Sequence, residues 1–188
     1  MAISATIAGA TSNSYVTLAE TEAYFAARLH AEAWETATDA DKEKALLTSC
    51  RHLEACRIRV SRKPFDLSGV TYDPLAPSDI DQALSFPRKK DKDAAGNFAI
   101  PKAIKEAQCE EALAVLAHGQ EQERRRALQA AGVTSFSVDG LTESYGASGA
   151  MNPLESAEAR NLLAPYLERG GVTATSDYAY GEWSPACR

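Results

Sequence analysis

Three histidines, four cysteines and a group of loop aspartates are the residues of this 188-residue chain best suited to chemistry, and their spacing argues against it. His30, His52 and His118 form no H-x-x-x-H or H-E-x-x-H pattern, so no two imidazoles stand one helical turn apart to hold zinc. Each reads as a satisfied or surface histidine. Cys50, Cys56, Cys109 and Cys187 form no CxxC and no zinc-ligand spacing, which leaves reduced thiols as the simplest reading. Asp73, Asp79 and Asp81 miss the spacing of a calcium loop and read as solvated carboxylates. No nucleophile elbow and no phosphate loop occurs. The expectation is a protein without catalytic residues, metal or cofactor.

Charge is more informative than motif. The chain carries 26 acidic and 20 basic side chains, a formal net charge of −6, which argues against a protein whose main task is to grip nucleic acid. Residues 51–92 run the other way, with nine basic side chains against six acidic ones. Arg57, Arg59, Arg62 and Lys63 form one cluster; Arg88, Lys89, Lys90 and Lys92 form another. Either could face phosphates or an acidic protein surface. Ordinary solvated charge with internal pairing is the competing reading, because acids are interleaved and stacking aromatics are sparse nearby. A third candidate is the C-terminal trio Tyr178, Tyr180 and Trp183, residue types that commonly anchor protein interfaces.

The elements that must position these groups are mostly helices. The 35 alanines favour helix and contribute little core volume. Thr17 and Glu20 make a capping box, which predicts a first helix over 18–29 with Leu18, Phe25 and Leu29 near one face. Trp34 belongs to a short helical piece. Thr38 and Asp39 open another helix, whose Leu46, Leu47, Cys50, Leu53 and Cys56 recur at three- and four-residue spacing. From 60 to 100 the period is lost, and five of the eight prolines fall between 64 and 101. A loop that long is usually functional or ordered by a partner; Leu84 and Phe86 could pin it. Pro101 suits the start of a central helix, which Gly119 ends or bends; Gln120 to Ala131 reads as its polar helical continuation, and Gly132 as the stop. Asp139-Gly140 predicts a β-hairpin within 133–145. Asn152-Pro153 predicts a last helix start, and Pro165 a kink or end.

The fold class expected is therefore mainly α: a small helical bundle with a long Pro-rich loop, one β-hairpin and extended termini. The division is an N-terminal arm over 1–14, a helical domain over 15–169 and a C-terminal arm over 170–188. No apolar run is long enough to span a membrane. Met1 to Ser14 lacks the basic and apolar regions of a secretory signal.

Several stretches taken in order resemble one family. Asn13-Ser-Tyr-Val-Thr-Leu-Ala-Glu20 with Ala23-Tyr-Phe25, then Ala33-Trp34, Asp41 through Leu46, and Gln82-Ala-Leu-Ser-Phe-Pro-Arg88 resemble tailed-phage head-to-tail connector proteins, the adaptors. Gly96 to Pro101, the hairpin after Gly132, and Leu162-Leu-Ala-Pro-Tyr-Leu167 continue the series. The group also includes proteins labelled DnaT-like single-stranded-DNA-binding. The resemblance implies a helical structural protein of the virion neck, assembled in the host cytoplasm as a ring of about twelve subunits. That ring would join the portal protein to the next connector, the stopper, around passing double-stranded DNA that it does not bind specifically. Tyr178, Tyr180 and Trp183 become candidate portal contacts. Arg57, Arg59, Arg62, Lys63, Arg88, Lys89 and Lys90 become candidates for subunit, stopper or phosphate contact. The alternative is a single-stranded-DNA-binding replication protein that uses the same basic residues.

Overall fold

A computed structural model describes residues 2–60, 74–133, 135–138, 141–144 and 153–168. Its elements are mainly helical: α1 Leu18–Phe25, α2 Glu32–Thr36, α3 Asp39–Ala55, α4 Lys102–Ala130 and α5 Ala157–Leu163, with a 3-10 turn at Ala164–Tyr166. Two strands, β1 Ser135–Val138 and β2 Leu141–Ser144, pair antiparallel with Ser135 opposite Ser144 and Val138 opposite Leu141. The turn expected at Asp139-Gly140 lies outside the described residues.

The helix starts follow local chemistry. At α1 the Thr17 hydroxyl accepts from the Glu20 amide at 3.2 Å, and the Glu20 carboxylate accepts from the Thr17 amide at 2.8 Å. At α3 the Thr38 hydroxyl accepts from the Asp41 amide at 3.2 Å. The start of α5 differs from the sequence expectation. Its cap is Ser156, which accepts from the Ala159 amide at 3.1 Å, while Asn152 lies outside the described residues. Pro165 falls in the 3-10 turn that ends this segment.

Helix ends depart further. The first helix stops at Phe25, four residues short of the prediction, and His30 takes a positive φ of 60° as the chain turns toward α2. Leu29, expected on the buried stripe, is 81% exposed. The central helix does not end at Gly119 but continues to Ala130, as expected of the polar stretch that follows. Gly132 stops it with φ +81°, and the Val133 amide returns to the Leu128 carbonyl at 3.0 Å.

Helix α4 is shared by two buried clusters. Ile104 and Ala107 meet Tyr15, Cys50, Leu53, Phe86, Leu154 and Leu163. Cys109, Ala112 and Leu113 meet Val16, Phe25, Trp34, Ala45 and Leu46. Phe86 is the loop anchor the sequence suggested, with its ring edge-on to Tyr15 at 6.0 Å and to Tyr166 at 5.5 Å. An isolated bridge pairs Ile58 with Leu167, so the chain just past α3 lies beside the end of the last described segment. Beyond Ala117 the described side chains of α4 are mostly exposed. Among the described residues no helix is long and apolar enough to cross a membrane.

Candidate functional site

The basic segment was the leading candidate, and the structure sorts its members. Arg57 and Arg59 are exposed at the seam between residues 57–59 and 166–168, where the Arg59 amide donates to the Tyr166 carbonyl at 2.8 Å. The Arg57 carbonyl accepts from the Glu168 amide at 2.9 Å, and the Arg59 guanidinium donates to the Pro165 carbonyl. Lys89 is half-buried and Lys90 exposed, and their amides donate to the carbonyls of Ala76 and Pro74. Arg62 and Lys63 lie outside the described residues, as do Tyr178, Tyr180 and Trp183.

Arg88 is different in kind. It is 2% exposed, with Nε 2.8 Å from Asp91 Oδ2 and Nη2 3.2 Å from Oδ1. Its guanidinium lies over the rings of Phe86 at 4.6 Å and Tyr166 at 5.2 Å, and Nη1 donates to the Arg59 carbonyl. A planar cation suits a carboxylate fork and aromatic faces together. A contact candidate from its sequence, Arg88 is seen here to join the loop to Arg59 and Tyr166.

The most concentrated chemistry lies elsewhere, on the inner face of α4. Gln108 Oε1 accepts from the Tyr15 amide at 2.8 Å, while Nε2 donates to Ser14 Oγ at 2.8 Å and to the Leu46 carbonyl at 2.9 Å. Glu110 accepts from the Tyr24 hydroxyl at 2.6 Å and binds Arg28 through two oxygens at 2.5 and 2.7 Å. Glu111, 0% exposed, accepts from the amides of Glu155 and Ser156 at 2.9 Å and faces His52 Nδ1 at 2.7 Å. On α3, Glu54 accepts from the Tyr15 hydroxyl and from Ser85 Oγ at 2.8 Å. Burial, with Glu54 beside it, holds the Tyr15 hydroxyl well above its ordinary pKa.

Sequence reasoning passed over this set because it followed only the apolar residues of each stripe. A signal existed. Gln108 lies four residues from both Ile104 and Ala112, and Glu111 four from Ala107 and Val115, so helical geometry puts them on the buried face.

These groups tie distant segments of the chain to α3 and α4. Among the described residues no set of His, Cys, Asp and Glu could hold a metal ion. Burial pushes the thiols of Cys50, Cys56 and Cys109 up to about 12, so they are protonated and unreactive near neutral pH.

Glu155 provides a pH prediction. Its side chain is 4% exposed, Oε1 lies 3.4 Å from Arg126, and Oε2 has no hydrogen-bond partner. Burial raises its pKa, Arg126 and His52 oppose that, and Glu111 and Glu123 add to it. A raised carboxyl pKa contributes stability below the unfolded value of about 4.3, and that contribution is lost as pH rises through the folded value. Glu155→Gln is therefore expected to be more stable than the parent at pH 7, with the gap closing in acid. Thermal melts at several pH values check this; an equal gap at every pH refutes it.

The geometry so far defines a class: a mainly helical protein whose buried ionisable groups tie distant segments to one helix pair. The chain matches the model of the family described as "Putative DnaT-like ssDNA binding protein" over residues 1–178, and it belongs to that family. No curated protein and no solved structure matches it.

Proposed function

We propose that this protein is a non-enzymatic structural component of a phage neck, a head-to-tail connector that forms a ring between the portal and the stopper. The observation that supports this reading is where the charged groups go. Gln108, Glu110, Glu111 and Glu54 tie the N-terminal segment, the loop and residues 155–156 to α3 and α4, and Arg88 ties the loop to Arg59 and Tyr166. Such a body is cross-tied at many points, and its surface carries exposed apolar side chains at Leu29 and Ile80. A cross-tied body with apolar groups on its surface suits ring assembly, in which unlike faces must meet and close.

The test is electron microscopy of the protein mixed with the portal assembly from the same genome. The expected result is an added ring coaxial with the portal. Intact portals without added density at saturating protein would overturn the reading.

The family description favours a second reading, binding of single-stranded DNA. Its cations would be the exposed Arg57, Arg59 and Lys90 and the half-buried Lys89, joined by Arg62 and Lys63. Arg88 would contribute little, because its guanidinium is engaged with Asp91. Backbone binding by Z cations predicts a salt slope of about −0.7Z. Titration of an oligothymidine across salt concentrations tests it, and Lys89→Glu/Lys90→Glu should weaken binding and flatten the slope. Affinity that ignores both salt and these substitutions counts against this reading.

A further inference from the structure

We propose that the short ribbon formed by residues 91–93 and 97–99 is a stacking platform for single-stranded DNA, on which Phe98 takes a base and Lys90 and Lys92 take the flanking phosphates. This rests on the single-stranded-DNA reading and names the part of the surface that would carry it.

On sequence alone, two features speak against nucleic acid here: acids interleaved with the basic run, and sparse stacking aromatics. The fold removes both. Asp91 is engaged by the Arg88 guanidinium, with Nε 2.8 Å from Oδ2. Asp93 turns onto its own loop, where Oδ1 accepts from the amides of Ala95 and Asn97 at 2.9 Å each. Both carboxylates are thus engaged by groups other than Lys90 and Lys92, which are exposed. The aromatic is Phe98. It stands directly opposite Lys92 across the ribbon, and Nζ of that lysine lies 5.2 Å from the ring centroid. The ring is 38% exposed and joins neither buried cluster.

The ribbon is held in shape by its own backbone. The Asp93 amide donates to the Asn97 carbonyl at 2.8 Å, and the Ala99 amide to the Asp91 carbonyl at 3.0 Å. Gly96 turns the chain between them at φ +86°, a conformation that strains other residues. At its base, Arg88 fixes the ribbon to Arg59 and Tyr166. A platform ordered in this way loses little freedom on binding. Composition selects the ligand. An acidic protein surface would need the lysines alone, whereas an exposed ring beside them suits a ligand with flat faces as well as negative charge. The ammonium of Lys92, on a flexible stem, can leave the ring for a phosphate when a base stacks there.

The test is an anisotropy titration of the full-length protein with two labelled strands of one length, an oligothymidine and the same backbone without bases. The parent is expected to bind the oligothymidine several-fold more tightly. Phe98→Ala should weaken that binding by about five-fold or more, the low end for one base–aromatic stack. It should also abolish the difference between the strands and leave the salt slope unchanged. Lys90→Ala/Lys92→Ala should weaken both strands alike and flatten the slope by about 0.7 per lysine. Phe98→Trp should keep the parent's affinity, and its added emission should be quenched by the oligothymidine and not by the abasic strand. Oligothymidine binding that Phe98→Ala leaves unchanged overturns the platform while the DNA reading stands, and equal affinity of the parent for both strands does the same. No binding of either strand at low salt overturns both, and turns the ribbon toward a protein partner.

Discussion

Glu111→Ala is expected to lower the unfolding free energy by about 3–5 kcal/mol, the cost of breaking a buried charged network by removing one partner. The carboxylate is fully buried and serves both His52 and the amides of Glu155 and Ser156. Its loss leaves two amides without an acceptor at the start of α5, each costing about 1–3 kcal/mol where water cannot enter. The imidazole loses its partner as well. Glu111→Gln should fall between parent and alanine variant, because its carbonyl oxygen still accepts while its amide nitrogen cannot. Equilibrium urea unfolding measures all three proteins. An alanine variant within 1 kcal/mol of the parent, itself about the smallest of these costs, would show that residues 153–156 are held by their apolar contacts alone.

The second large effect is expected at Arg88. Arg88→Ala removes the fork to Asp91 and the cation that lies over Phe86 and Tyr166, and it strands a carboxylate whose side chain is 8% exposed. A loss of about 3–5 kcal/mol follows from breaking such a pair. Arg88→Lys should recover little, since an ammonium cannot reproduce the planar fork or stack on two rings. The Arg88→Ala/Asp91→Ala double variant should be less destabilised than the two single losses combined, because neither charge is left alone. Lys90→Glu, at an exposed position two residues away, should change stability by less than about 0.5 kcal/mol. Urea midpoints that place Arg88→Ala and Lys90→Glu together would refute the assignment of Arg88 to the interior.

The contrast between these two positions marks how far the sequence could be read. Arg88, Lys89, Lys90 and Lys92 are one basic run in the sequence, and charge counting treats them alike. What separates Arg88 is Tyr166, a residue 78 positions later whose ring comes within 5.2 Å only once the chain has folded. Capping by Thr17 and Thr38 was legible because each acts within three residues. The stripe of α3 was legible because Leu46, Cys50 and Leu53 repeat with the helix. The polar continuation past Gly119 was legible because one glycine costs a helix only about 1 kcal/mol and the run that follows is rich in good helix formers. The early stop at Phe25 was hidden because Leu29 fits the helical period and yet is exposed, a choice made by the turn at His30.

The polar contacts of α4 also set an order of events during synthesis. Gln108 receives the amide of Tyr15 and Glu110 the hydroxyl of Tyr24, partners made 93 and 86 residues earlier. At a ribosomal rate of about 5–20 residues per second, that is a wait of roughly 4–20 seconds. During it, Tyr15, Phe25 and Leu46 have no α4 to cover them. Helices α1 to α3 therefore leave the ribosome in search of a centre, open to chaperones and to other nascent copies, until the helix that organises them is complete.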